Sequence, residues 1–376
     1  MTPFGIVAPP RILFGRGEAA KAPGLIKAFG KRGVLVHGAN PARAAWLVDG
    51  LGREVLPLAC LGEPSLPNLM AALAAARRHR PDWVVAMGGG AALDLGKALA
   101  ALIPAPGDPM EHLEVVGQGL PLRAAPLPFI ALPTTSGTGA EVTRNAVIGL
   151  PDHGRKVSLR DDRMVARLAI VDPALTDGCP RSVTLASGLD AVTQVIEPYV
   201  SIKATAYTDA LAGPAIGPGL AALRRLMEGE DPQARDKLAW TSLCGGLALS
   251  NAGLGAVHGF AGVIGGMTGA AHGAICGALL GPVLAANRAA AAGPARARLD
   301  EVCVALSGVL GSTAEDAPAA LQNWARRAGL PGLSALGVTS VLHGKIVEAS
   351  QGASSMKGNP VVLGADVLHS VLEAAS

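Results

Sequence analysis

The spacing of apolar residues changes near residue 178, and that change limits the chain to two differently built halves. Up to that point short β-branched runs alternate with helix-length stretches, the pattern of βαβ units around a parallel sheet. Strands are expected at 33–37 (GVLVH), 54–58 (EVLPL), 83–87 (WVVAM), 128–132 (PFIAL) and 168–171, with helices over 41–51 and 66–79. Beyond Cys179-Pro180 come Ala-, Leu- and Gly-rich stretches at 182–200, 205–227, 231–262, 272–292, 295–310, 313–328 and 338–349, which read as packed helices. The expectation is an α/β domain over 1–178 and an all-helical domain over 179–376. Small ligands usually bind in clefts between domains.

Half of the 376 residues are hydrophobic and 16% are charged, so real cores are available and disorder is excluded. The formal charge of +3 is spread without a basic block, which leaves no electrostatic footprint for nucleic acid or an anionic membrane. Five scattered cysteines (Cys60, Cys179, Cys244, Cys276, Cys303) form no C-x-x-C pair and read as reduced thiols of a cytoplasmic protein. The proline-broken start, MTPFGIVAPPRILFG, does not read as a signal peptide. The most apolar region, 253–284, carries two histidines and many glycines, and reads as a buried helical core instead of a bilayer span.

Strand WVVAM runs into Gly88-Gly89-Gly90 and then a helix. Residues without side chains there let backbone amides meet a pyrophosphate, helped by the partial positive charge of the helix start. Asp94 and Lys97 follow on one helix face, where a cation could reach a phosphate and a carboxylate could order the loop. A tight strand-to-helix turn with a solvated Asp/Lys pair explains the same residues. A second loop, Pro133-Thr134-Thr135-Ser136-Gly137-Thr138-Gly139, again follows a strand and offers hydroxyls, although Ser and Thr are also common in caps and turns. Two such loops at strand carboxyl ends favour a dinucleotide site. Lys156 could add a positive charge, or lie on the surface. The first strand ends in His37-Gly38-Ala39-Asn40, without G-x-G-x-x-G and without an acidic residue for ribose hydroxyls. Asn40 and Arg43 could receive a 2′-phosphate, a lean toward NADP over NAD.

Asp190 and Gln194, an i, i+4 pair, point the same way from one helix. His258 and His272 are each followed by glycine and separated by Gly265-Gly266, read as a flexible segment. One carboxylate, one amide oxygen and two imidazoles would suit Fe²⁺ or Zn²⁺ with positions left for a substrate oxygen. Each histidine could equally be a satisfied core residue.

These segments, in this order, resemble the iron-containing (group III) alcohol dehydrogenase family over nearly the whole chain. VVAMGGGAALDLGKALA is similar to its GGGS-x-x-D-x-x-K segment and PFIALPTTSGTGAEVTRNAVI to its PTTxGTGSE loop. SGLDAVTQVIEP is similar to its GLDAxxHxxE helix, and GAVHGFAGVIGG with AAHGAICGALL to its paired histidine segments. The resemblance implies a dehydroquinate synthase-like fold: an α/β dinucleotide-binding domain, an all-α domain, a metal at the cleft and a homodimer. By position, Gly88, Gly89, Gly90, Asp94, Thr134, Thr135, Thr138 and Lys156 match cofactor contacts, while Asp190, Gln194, His258 and His272 match metal ligands. Three positions depart from the family pattern. Ala91 replaces a serine of the glycine loop, Gln194 replaces a ligating histidine, and Gly262 stands where many relatives carry a histidine thought to move protons.

The expected activity is an NAD(P)-linked alcohol dehydrogenase or aldehyde reductase acting on a small alcohol, aldehyde or ketone. The ion would polarise the substrate oxygen while hydride moves to or from the nicotinamide. No residue is assigned a catalytic role beyond metal ligation. Three alternatives remain. One is a metal-independent reductase of maleylacetate type, with Arg144, Arg155 or Arg160 meeting a substrate carboxylate; the second is a dehydroquinate synthase-like lyase; the third is a cofactor-binding protein without turnover.

Overall fold

The computed structural model describes residues 3–376; Met1 and Thr2, which begin the N-terminal segment and the first expected domain, lie outside the described residues. The chain forms two units. One holds Val7–Thr135 and Gly139–Asp177, and the other holds Gly178–Ser376 with Ser136–Thr138 and residues 3–6.

In the first unit, six strands make one sheet: β1 (Ile12–Phe14), β2 (Gly33–His37), β3 (Val55–Ala59), β4 (Trp83–Gly88), β5 (Phe129–Pro133) and, later in the chain, β8 (Leu168–Val171). Their order is β1-β8-β5-β4-β2-β3, and every neighbouring pair is parallel. β2, β4, β5 and β8 are buried along their whole length. Strands covered on both faces need no polar alternation, which is why they read as continuous apolar runs. One face packs Leu35, Val85 and Ile130 against α1 (Ala22–Lys27) and α2 (Ala45–Leu51). The other packs Val34, Val36 and Ala86 against α3 (Leu66–His79) and α4 (Gly90–Leu102).

The expected helix over 41–51 starts later than its pattern suggests. Asn40 caps a single 3₁₀ turn at Pro41–Arg43 before α2 begins. An antiparallel hairpin, β6 (Asn145–Leu150) and β7 (Arg155–Arg160), was not among the expected elements. Its apolar side, with Ala146, Ile148, Val157 and Leu159, joins the core beside α4.

The second unit is helical: α5 (Arg181–Val200), α6 (Ala206–Glu228), α7 (Pro232–Ala252), α8 (Ala256–Thr268), α9 (His272–Ala290), α10 (Gly293–Leu310), α11 (Ala317–Arg327), α12 (Ser340–Gln351) and α13 (Ala365–Ala375). The stretch 231–262, expected as one helix, is broken: Gly253, at φ 70°, ends α7, and α8 leaves at 97° to it. Gly265 and Gly266, read as flexible, lie inside α8. α9 is long and apolar enough to cross a bilayer, but 67% of its most apolar stretch is buried within the protein. Few aromatics and many small residues let these helices approach closely. A Cβ on Gly273 would sit 2.4 Å from the Ala186 carbonyl oxygen, so α9 meets the backbone of α5 there.

Candidate functional site

β2 sends the chain to β3 on one side, and β4 lies on the other, so the strand order reverses between β2 and β4. Open parallel sheets bind ligands beyond the strand ends at such a point. A cavity of about 210 Å³ lies there, lined by His37, Gly38, Asn40, Arg43, Gly88 and Thr134 among others. A Cβ on Gly88 would lie 2.5 Å from that of Ala92, so glycine lets α4 start against the strand end. Gly89 is the N-cap of α4 and supplies no side-chain hydrogen bond, which leaves the helix start suited to an anion. Thr134 is buried, donates its backbone N–H to the Gly88 carbonyl, and joins the two loops; the Thr135 hydroxyl lies beside Gly89.

Asp94, Lys97, Thr138 and Lys156 are not among the residues that line this cavity. Asp94 accepts from the Val147 N–H at 3.0 Å, and Lys156 on β7 pairs with Glu63. Lys97 is not the solvated or phosphate-reaching cation its spacing suggests. It is buried under the β6–β7 hairpin and donates to Thr143 Oγ1 (2.8 Å) and the Asn145 carbonyl (2.7 Å). Thr138 belongs with Ser136 and Gly137 to the helical unit. Asn40 accepts from the Ala42 N–H, and one guanidinium N–H of Arg43 donates to the Leu175 carbonyl.

In the helical unit, α5, α8 and α9 bring a carboxylate and two imidazoles together. Asp190 Oδ1 lies 3.2 Å from His258 Nε2 and 3.9 Å from His272 Nε2, and the ring centroids are 5.3 Å apart. Asp190 and His258 are buried, whereas 32% of the His272 side chain is exposed. Burial pushes the Asp190 carboxyl up, but the two imidazoles outweigh it and hold the acid below its usual 3.8. For His272, burial disfavours the charge, yet the Cys276 sulfur and Asp190 raise its pKa to about 9. His258 is likewise raised well above 6.5 against its burial, by Cys276, Glu197 and Asp190. The anionic surroundings thus stabilise positive charge, and a divalent ion would satisfy the same demand.

The glycines beside the histidines face neighbouring elements. Gly259 faces Met356 and Gly273 faces the α5 backbone, so both serve helix packing. Gly262 has open space where a side chain would project. Gln194, one turn beyond Asp190, donates its amide to the Gly137 carbonyl at 3.1 Å, while its buried oxygen has no hydrogen-bond partner.

Sequence reasoning passed over two residues. Glu197 accepts from His258 Nδ1 at 2.6 Å through one oxygen and from the Val257 N–H at 2.7 Å through the other. One buried carboxylate therefore fixes the ring and caps the start of α8. Its signal was the i, i+4, i+7 stripe Asp190, Gln194, Glu197. Cys276 places its Sγ 3.6 Å from His272 Nε2 and 3.8 Å from His258 Nε2, and its signal was the i, i+4 spacing from His272. The donor atoms of Asp190, His258, His272 and Cys276 all lie within 4.8 Å of one another, a grouping able to hold a metal ion.

Residues 9–173 match the profile described as "Iron-containing alcohol dehydrogenase", and residues 184–376 match "Fe-containing alcohol dehydrogenase family, C-terminal". The "Probable alcohol dehydrogenase EutG" of Salmonella typhimurium is 37% identical over 249 residues, a match covering 65% of this chain and 62% of that protein. Among solved structures, a 1,3-propanediol oxidoreductase superposes with a TM-score of 0.88 at 27% identity, covering all of both chains. The sulfoacetaldehyde reductase of Bifidobacterium kashiwanohense, solved in complex with NAD⁺, gives a TM-score of 0.85 at 27% identity, over 100% of this chain and 99% of that one. With both profiles spanning nearly its whole length, the chain belongs to the iron-containing alcohol dehydrogenase family.

Proposed function

We propose that this chain is a metal-dependent, NAD(P)-linked alcohol dehydrogenase or aldehyde reductase acting on a small alcohol, aldehyde or ketone. The observation that carries the reading is the Asp190 oxygen, buried without a hydrogen-bond partner between two imidazole nitrogens. A buried carboxylate oxygen that makes no hydrogen bond is costly unless a cation completes it, so the residues fit a divalent ion. Asp190, His258 and His272 would hold it, with the carboxamide oxygen of Gln194 as a further candidate donor; Fe²⁺ and Zn²⁺ both suit this set. When bound, the ion supplies Lewis acidity toward a substrate oxygen and the nicotinamide carries the hydride.

The chain's own residues prepare that chemistry. Glu197 accepts a hydrogen bond from His258 Nδ1 and so leaves Nε2 facing Asp190. The glycine turn and the amides opening α4 would receive the cofactor pyrophosphate, with Gly88, Gly89, Gly90, Thr134 and Thr135 around it. Asp94, Thr138 and Lys156 complete the proposed cofactor set by position in the family motifs. Asn40 and Arg43, standing where an acidic residue would select NAD, support NADP; the NAD⁺ complex of the sulfoacetaldehyde reductase supports NAD. The reading includes two domains, 1–178 and 179–376, a cytoplasmic location supported by five cysteines all outside disulfides, and a homodimer supported by family membership.

The test is reduction of a broad aldehyde and ketone panel by protein loaded with Fe²⁺ or Zn²⁺, with NADH and NADPH compared. Net loss of nicotinamide absorbance is expected. No turnover on any substrate contradicts the reading, and product formation without net absorbance change favours the lyase.

A further inference from the structure

We propose that Cys276 is a protein ligand of this metal centre, taking the place that Gln194 leaves incomplete, and that its thiolate favours Zn²⁺ over Fe²⁺. The inference rests on the metal-dependent reading above.

Geometry comes first. Tetrahedral zinc, with bonds of roughly 2.0–2.1 Å to nitrogen and oxygen and about 2.3 Å to sulfur, separates N from S by about 3.6 Å and N from O by about 3.3 Å. The Cys276 sulfur lies 3.6 and 3.8 Å from the two imidazole nitrogens, and Asp190 Oδ1 lies 3.2 and 3.9 Å from the same atoms. Three of these four edges match a zinc-sized tetrahedron within about 0.2 Å, the fourth is 3.9 Å, and no pair of the four donors is more than 4.8 Å apart. Asp190 Oδ1 is the unpartnered buried atom aimed into it. The spacing of His272 and Cys276 sets both donors on one face of α9, so a single helix supplies two corners.

Charge and chemistry agree. Gln194 is neutral, and its amide nitrogen is engaged by the Gly137 carbonyl. A thiolate with the Asp190 carboxylate supplies two negative charges for a divalent ion, so the ion and its ligands are neutral together, with the Glu197 carboxylate behind His258 as the remaining buried charge. The thiol proton leaves to solvent as the metal–sulfur bond forms. Carboxamide oxygen is a hard donor and thiolate a soft one; softness, together with the ordinary affinity order, selects Zn²⁺ above Fe²⁺. Four protein donors still admit a fifth, because zinc can become five-coordinate, and the exposed side of His272 marks the open face.

The experiment is X-ray absorption at the metal edge of the full chain loaded with one equivalent of Zn²⁺, beside Zn²⁺ and Fe²⁺ competition binding. The wild type is expected to show one sulfur neighbour at about 2.3 Å among nitrogen and oxygen neighbours. Cys276→Ser should lose that sulfur signal and at least tenfold in Zn²⁺ affinity, with a smaller loss for Fe²⁺, whereas Gln194→Ala should keep the signal. Zinc bound through nitrogen and oxygen alone in the wild type overturns the ligand assignment and leaves the metal-dependent reading standing. A sulfur neighbour that persists in Cys276→Ser overturns it as well. Preference for Fe²⁺ despite bound sulfur overturns the selectivity, and failure to bind either ion overturns both readings. The wild-type spectrum decides the ligand question even if the variant does not fold.

Discussion

Glu197 uses its two oxygens on two different structures, the His258 ring and the first turn of α8, so one substitution separates metal positioning from folding. Glu197→Gln retains an oxygen for the Val257 N–H but loses the charged acceptor that orients His258. Metal affinity should fall 10- to 100-fold while the far-UV spectrum stays unchanged, as read by metal titration and circular dichroism. Unaltered affinity would mean that the ring needs no such support. Burial sets a second residue apart: it pushes the Glu141 carboxyl up to about 7 against the pull of Lys97. Because the folded protein holds this proton more tightly than an unfolded chain, its stabilising contribution is complete below about pH 4.5 and is lost as pH rises to about 7. The carboxyl signal assigned by its disappearance in Glu141→Gln should titrate near 7 in a ¹³C NMR series; a midpoint near 4.5 would contradict this. At this scale the sequence makes the carboxylate and the imidazoles legible, because each stands out in a chain with so few polar residues. Cys276 was masked by its apolar neighbours, whereas Glu197, the closing residue of the segment similar to GLDAxxHxxE, was visible but had no role until the fold set it against His258.

Close helix packing governs the element scale. Adding one methyl at Gly273 would ordinarily help a helix by about 1 kcal/mol. Here the new Cβ would sit 2.4 Å from a carbonyl oxygen of α5, and backbone cannot swing aside as a side chain can. Gly273→Ala should therefore destabilise by about 1–3 kcal/mol in chemical denaturation, and weaken metal binding because His272 is its direct neighbour. A neutral or stabilised variant would show that α9 can retreat from α5 freely. Continuous apolar runs made the central strands readable, since strands covered on both faces carry little else. The hairpin β6–β7 escaped because its second strand, RKVSLR, has only two apolar residues, Val157 and Leu159, between charged ones at both ends. The break between α7 and α8 escaped for a different reason: helical apolar spacing continues on both sides of Gly253, and only the left-handed backbone there ends the first helix.

On the scale of the molecule, an α/β unit offers an uncapped helix start beside a cavity, and a helical unit offers a cluster of metal donors. Their difference in construction was visible in the sequence as a change of period near residue 178. The helical unit also takes in Ser136–Thr138, which local spacing could not reveal because those residues lie within the α/β stretch of the chain. In the proposed function, turnover requires an ion held by Asp190, His258 and His272. Its most direct test is turnover plotted against metal bound per chain, in protein purified without oxygen, stripped by chelation and reloaded in steps. Stripping is expected to cost at least about a hundredfold in turnover, the rate equivalent of about 3 kcal/mol, and reloading to restore it linearly up to one ion per chain. Full turnover by metal-free protein would contradict it.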